Sequence, residues 1–151
     1  GFYLGNTRTR RFQILSEGEV ITKTEYLESA GQYLWLEEFP VDFKTTEVTI
    51  LATPSSEPEE WFSLTEVIFL ALEGDEIGDT SNSAVVSSTG YDARTTSGCN
   101  GPCLPSNTRE GDYDDDVSRW SCINSGATGG LCSITYDFRS AVNLNLIRMS
   151  F

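Results

Sequence analysis

The segment from Arg109 to Arg119 carries the densest group of chemistry-bearing side chains in the sequence. Hard cations such as Ca²⁺ bind about six to eight oxygens from clustered carboxylates, hydroxyls and backbone carbonyls, so this segment has the composition of a cation-binding loop. The alternative is a solvated acidic turn, because Arg109 and Arg119 could neutralise the crowded negative charges instead. The five carboxylates are Glu110, Asp112, Asp114, Asp115 and Asp116.

The chain of 151 residues contains no histidine. This excludes hydrolases that use a histidine base and metal sites that need histidine ligands. The pairs Glu59/Glu60 and Asp114/Asp116 could serve as acid and base of a glycosidase at a separation of about 5–10 Å. Nothing in the sequence marks a cleft around either pair, so we expect the protein not to be an enzyme.

Four cysteines form two local pairs, each enclosing its own turn. Cys99 and Cys103 enclose a Gly-Pro turn, and Cys122 and Cys132 flank a glycine-rich turn. An even count in an acidic, loop-rich chain predicts two disulfides made in an oxidising compartment. Of the three possible connectivities we favour 99–103 with 122–132. A four-thiolate zinc site is the alternative, because the spacing of the first pair suits zinc ligands.

Short alternating stretches that begin near residues 12, 20, 33, 47, 64, 133 and 144 are bounded by Gly, Pro, Ser or Asn. Alternation with a period of two predicts β-strands, and their spacing indicates an antiparallel β-sandwich or jelly roll. Ser16–Glu19 is expected to form a hairpin turn. The acidic, glycine-bearing segment 73–83 is typical of a linker rather than a strand. The length suits a single domain.

The formal net charge of −13 makes nucleic acids and anionic membranes poor partners. The longest apolar run, Val67–Leu72, is far shorter than the roughly 20 residues that cross a bilayer. No basic, apolar leader stands at the front, so we expect a soluble chain that is already processed or excised. The cysteine pairs indicate that it is extracellular or secreted. Since the sequence has no Asn-x-Ser/Thr sequon, an attached glycan would be O-linked.

Motifs along the whole chain resemble the discoidin family, also called coagulation-factor C-type or galactose-binding-like domains. Residues 84–151 resemble the first half of such a domain and residues 1–72 its second half, so the order is inverted. That order suggests either one period of a tandem array, which we favour, or an engineered circular permutant. The motifs are NTREGD at Asn107–Asp112, SRWS at Ser118–Ser121, ITYDF at Ile134–Phe138, NTRTRRF at Asn6–Phe12, Phe39–Leu51 and WFSLTEV at Trp61–Val67.

The resemblance implies a β-sandwich of the galactose-binding-like type, with Trp120 in its core. It also implies a structural Ca²⁺, and its motifs map onto Glu110, Asp112, Asp114, Ser118 and Glu66. Aromatic rings stack on sugars or on partner proteins, and guanidinium groups bind hydroxyls or carboxylates. The residues expected to contact carbohydrate or a neighbouring repeat are Arg8, Arg10, Trp35, Trp61, Tyr91, Arg94 and Tyr113.

Two functions remain open from the sequence. The first is a non-catalytic extracellular repeat that links to identical neighbours in a fibre or matrix protein with bound or O-linked glycans. The second is a calcium-stabilised carbohydrate-binding module of a larger secreted protein or enzyme. The number of copies in the native polypeptide separates the two.

Overall fold

A computed structural model describes the parts of the chain that carry most of the predicted strands. The described residues are 11–21, 27–28, 36–52, 60–73, 76–79, 84–89, 91–92, 104–109, 120–124 and 132–150. The strands are β1 (Arg11–Ser16), β2 (Glu19–Val20), β3 (Leu27–Glu28), β4 (Glu37–Ala52), β5 (Glu60–Leu64), β6 (Glu66–Glu73), β7 (Glu76–Asp79), β8 (Val85–Thr89), β9 (Tyr91–Asp92), β10 (Trp120–Asn124) and β11 (Ser133–Ser150). The described part contains one 3-10 helix, Pro105–Arg109, and no α-helix. The all-β prediction is confirmed.

The strands form two antiparallel sheets. The eight-stranded sheet has the order β2-β1-β4-β11-β6-β7, with β3 paired to β1 and β8 paired to β11. The three-stranded sheet has the order β5-β10-β9. The chain passes from one sheet to the other at Thr65, between β5 and β6, where the Thr65 N–H donates to the carbonyl of Ser150 at 2.8 Å.

Buried apolar side chains from both sheets form one hydrophobic cluster. Alternate residues of the central strands supply it, for example Ile134, Ile147 and Met149 of β11, all of which are fully buried. The three-stranded sheet contributes Phe62, Leu64, Trp120 and Cys122. Trp120 therefore lies in the core, as the sequence predicted.

Two long strands replace four predicted short ones. Residues 37–52 form β4 without interruption and residues 133–150 form β11. Opposite the single Thr46 of β4, residues 138 to 141 of β11 form a bulge, where Arg139 has a φ of 63°. The Thr45 hydroxyl supports the neighbouring backbone, because it accepts from the Glu47 N–H at 3.1 Å and donates to the Glu47 carbonyl. Bulges break the alternation while the strand continues.

Part of the expected linker belongs to the eight-stranded sheet. Residues 76–79 form β7, which pairs with β6 in antiparallel orientation. The register runs from Leu70 opposite Asp79 to Glu73 opposite Glu76. β6 and β7 are thus antiparallel neighbours, and β7 lies within a segment whose charge and glycine content are typical of a linker. The proposed division of the chain into two halves around this segment stays a prediction.

The hairpin turn predicted at Ser16–Glu19 is confirmed. Ser16 pairs with Glu19 across a two-residue loop, in which Glu17 has a φ of 51° and Gly18 a φ of 86°. Positive φ at both central positions is typical of a type I′ turn, whose twist matches that of the strands. The carboxylate of Glu17 also accepts a 3.0 Å hydrogen bond from the Thr46 hydroxyl.

Replacing Gly18 with alanine is expected to lower the free energy of unfolding by about 1–2 kcal/mol, because an L-residue with a Cβ is strained at positive φ. The matched control is Gly78→Ala: neither glycine has a heavy atom within 4 Å of an added Cβ, and Gly78 has no positive φ. The control should leave stability unchanged or raise it by up to about 1 kcal/mol. Urea unfolding measures both. Equal losses in the two variants would contradict the turn assignment.

Candidate functional site

The structure describes five of the sixteen predicted site residues, here counted with the cysteines: Trp61 in β5, Glu66 in β6, Tyr91 in β9, Cys122 in β10 and Cys132 just before β11. Cys122 and Cys132 form a disulfide, as predicted. The remaining predictions lie outside the described residues, namely Arg8, Arg10, Trp35, Arg94, Cys99, Cys103, Glu110, Asp112, Tyr113, Asp114 and Ser118.

The Cys122–Cys132 disulfide joins the two sheets. Cys122 belongs to the three-stranded sheet, and Cys132 precedes the central strand of the eight-stranded one. Both cysteines are completely buried, and the carbonyl of Cys132 accepts the Ala52 N–H at 2.9 Å. A cross-link at this position holds one sheet against the other and is shielded from solvent.

Glu66, the only predicted calcium ligand among the described residues, lies in a buried polar environment at the first position of β6. It is 3% exposed, and its register partner on β11 is Ser150, which is 0% exposed. Partners on adjacent antiparallel strands have Cβ atoms about 4.5–5.5 Å apart on the same face. Within the described part of the chain, the Ser150 Oγ has no hydrogen-bond partner.

A carboxylate and a hydroxyl are both ligands that Ca²⁺ accepts. Burying a hydroxyl costs free energy unless an ion, a water molecule or another polar group interacts with it. Glu66 and Ser150 thus supply two oxygen groups of the kinds that Ca²⁺ binds, out of the about six to eight that it needs. The described residues contain no group of three Asp, Glu, Cys or His side chains that could hold a metal ion.

The 3-10 helix Pro105–Arg109 ends directly before Glu110, where the predicted cation loop begins. It lies against β6, β8 and β10. Thr108 is fully buried, and its hydroxyl donates to the Pro105 carbonyl at 2.7 Å. The Tyr136 hydroxyl therefore donates to Thr108, at 2.7 Å. These bonds attach the start of the acidic segment to the central strand β11.

Two predicted contact aromatics occupy the same row of the three-stranded sheet. Ile123 in β10 is the register partner of Trp61 in β5 and also of Tyr91 in β9. With strands about 4.8 Å apart, the two positions are separated by roughly 10 Å across the sheet. Residues 61 and 91 are thus brought together from distant parts of the sequence, at a spacing that suits one extended ligand.

Ser150 is the site residue that sequence reasoning missed. It stands in a predicted strand next to apolar residues, and no local pattern distinguishes it from a serine at a strand end. Only its pairing with Glu66, 84 positions away in the sequence, places it beside a carboxylate. No helix in the described part of the chain has the length and apolar character of a membrane span.

Comparison of the chain with family models, with curated proteins and with solved structures finds no match.

Proposed function

We propose that this chain is a non-catalytic extracellular repeat unit that builds a glycan-associated fibre or matrix protein. The observation that carries the proposal is the buried Cys122–Cys132 disulfide between two sheets. Disulfides persist in oxidising compartments, where they hold together small secreted domains. A cross-link that fixes one sheet on the other suits a part whose task is to keep its shape outside the cell.

The shared core supports a finer architecture, a β-sandwich of the discoidin-like type. Phe62, Leu64, Trp120 and Cys122 from the smaller sheet join the same buried cluster as β4, β6 and β11. Two sheets that share one core in this way typically pack face to face. The rings of Phe62 and Trp120, 6.1 Å apart and edge to face, lie in this cluster.

The repeat proposal is tested on the native polypeptide. Its intact mass and peptide map should correspond to several consecutive copies of a unit similar to these 151 residues. A native polypeptide with a single copy would overturn the proposal. A monomeric secreted protein containing one copy would instead favour the second candidate.

The second candidate is a calcium-stabilised carbohydrate-binding module. Two observations favour it: the buried Glu66 opposite the Ser150 hydroxyl, and the row that contains positions 61 and 91. Glu66 and Ser150 would hold the cation, together with the acidic segment 110–116. The cation would neutralise the carboxylates of this segment and of Glu66, and would thereby attach the segment to the first residue of β6.

Calcium is expected to raise the melting temperature, and chelation to lower it, because a ligand that binds only the folded state stabilises it by about 2.7 kcal/mol at a hundred times its dissociation constant. Glu66→Gln should abolish the calcium-dependent shift. Ser150→Ala should reduce it without destabilising the calcium-free protein. Glu47→Gln, a half-buried carboxylate on another strand, is the control that should respond like the parent. Identical melts with calcium and with chelator would exclude the cation.

Sugar binding is tested separately on a glycan array. The parent chain should bind a defined class of sugar, and Trp61→Ala and Tyr91→Ala should each weaken that binding. The control is Phe43→Ala in the other sheet, whose partly buried ring packs against the core. If the folded, calcium-loaded chain bound no sugar, the proposal of a carbohydrate-binding module would be overturned.

A further inference from the structure

The eight-stranded sheet bends back on itself at the bulge of β11. Phe12 of β1 is the register partner of Ala52 at one end of β4, and Phe39 lies near the other end of β4. In a straight strand Phe39 and Ala52 would be about 40 Å apart, at about 3.3 Å per residue. The rings of Phe12 and Phe39 nevertheless have centroids only 5.2 Å apart. The two ends of β4 therefore lie close together across the core.

A second ring contact shows the same bend in β11. Phe69 of β6 is the register partner of Ile147, which lies near the end of β11. The ring of Phe69 contacts Tyr136, on the other side of the bulge, at 4.7 Å between centroids. Both long strands therefore turn at the bulge, and the two halves of the sheet on either side of it face each other.

The bend brings the start of β1 and the end of β11 to the same end of the sheet. β1 begins at Arg11, beside the Ala52 end of β4. β11 ends at Ser150, one position beyond Met149, which is paired with Glu37 at the other end of β4. Because the bend places these two ends of β4 together, Arg11 and Ser150 lie at one end of the bent sheet, on its opposite halves.

This placement decides how the strands would carry tension in a tandem array. In the repeat function proposed above each copy continues into the next, so tension reaches the described strands at Arg11 and Ser150. A pull that separates these two residues acts across the strands and not along them. The hydrogen bonds of an antiparallel ladder are perpendicular to its strands, so such a pull loads only the row at the end of the ladder. A pull along the strands would load every row at once.

We propose that the unit is an extensible link, in which tension on the array separates the end strands one row at a time. β1 leaves β4 first at Phe12, its first residue paired with that strand. β11 leaves β6 from Ser150 as far as Leu146, which is opposite Leu70, and beyond. The array then lengthens at forces that a sheet loaded along its strands would resist. The proposal deepens the repeat function and rests on it for the source of the tension.

Stretching single molecules of the 151-residue chain in optical tweezers tests the dependence on direction. One variant carries handles at Arg11→Cys and Arg148→Cys, so it is pulled across the strands at their common end. The matched variant carries handles at Arg11→Cys and Arg139→Cys. Arg139 is exposed and lies in the bulge, so this pull runs along β1. Forced unfolding is governed by the rate of unfolding, which the direction of the pull changes without any change in stability.

The mean rupture force of the 11/148 variant should be at least about twofold lower than that of the 11/139 variant, since its ladder rows break singly. If Arg139→Cys does not fold, Lys44→Cys, an exposed residue beside the same bend, replaces it. The parent chain, held by its first and last residues, should rupture at the lower force.

Equal forces for the two directions, or a parent chain as resistant as the 11/139 variant, would overturn the extensible link. This result would leave the number of copies in the native polypeptide untouched. A native polypeptide with a single copy would overturn the repeat function instead, and with it the source of the tension, even if the rupture force depended on direction.

Discussion

Replacing Phe69 with alanine is expected to lower the free energy of unfolding by about 3–5 kcal/mol. Phe69 is fully buried, and its ring lies edge to face with Tyr136 at 4.7 Å and with Phe138 at 5.2 Å between centroids. Truncation removes its apolar burial and leaves a cavity whose cost depends on how far the surroundings relax. Relaxation is restricted here, because the Tyr136 hydroxyl is bonded to the buried Thr108.

Denaturant unfolding monitored by tryptophan fluorescence measures this loss. Phe69→Leu retains most of the buried volume and should cost clearly less. The neighbouring Ile68→Ala is the matched control, because Ile68 is only half-buried and faces away from the core. It should cost about 1 kcal/mol. If Ile68→Ala destabilised the protein as much as Phe69→Ala, the assignment of the two faces of β6 would be wrong.

Removing the Cys122–Cys132 disulfide by a double replacement with alanine is expected to cost about 3 kcal/mol. The cross-link spans 10 positions of sequence, and closing a loop of this size lowers the entropy of the unfolded chain by about that amount. Because both cysteines are also fully buried in the core, the lost sulfur contacts add to the cost.

Equilibrium unfolding in urea, with and without reductant, separates the two contributions. Reductant should lower the midpoint of the parent chain more than that of the double variant, in which only the predicted Cys99–Cys103 pair is left to be reduced. Cys122→Ala alone removes the cross-link and only one buried side chain. Its free energy of unfolding should therefore be close to that of the double variant. A parent midpoint that does not respond to reductant during unfolding would contradict a stabilising role for this disulfide.

Local chemistry made several features predictable. The alternation around Phe12–Leu15 and the Glu-Gly pair after it indicated a strand and a tight turn, and β1 with its hairpin follows that pattern. Cys122 and Cys132 are separated by 10 positions, so their pairing needed no contact between distant parts of the sequence. Burial of Trp120 was likewise expected from its motif.

The extent of the strands was harder to predict, because it depends on neighbours. The alternation changes phase at Thr45–Glu47 and near Arg139, which resembles the end of one strand and the start of another. In the sheet, the backbone hydrogen bonds of β4 and β11 resume on both sides of the bulge, so each strand continues. The sequence 76–79 likewise has the composition of a linker, yet pairing with β6 makes it a strand.

The composition and spacing of residues determined the all-β class, the absence of histidine chemistry, the acidic charge and the local disulfide, because each depends on side chains close together in the chain or on their total number. The positioning of Ser150 beside Glu66, of residue 61 in the row of residue 91, and of Leu70 beside Leu146 came from strand register. Register depends on hydrogen bonding between segments far apart in sequence, and a shift of one residue would move each of these side chains to the opposite face.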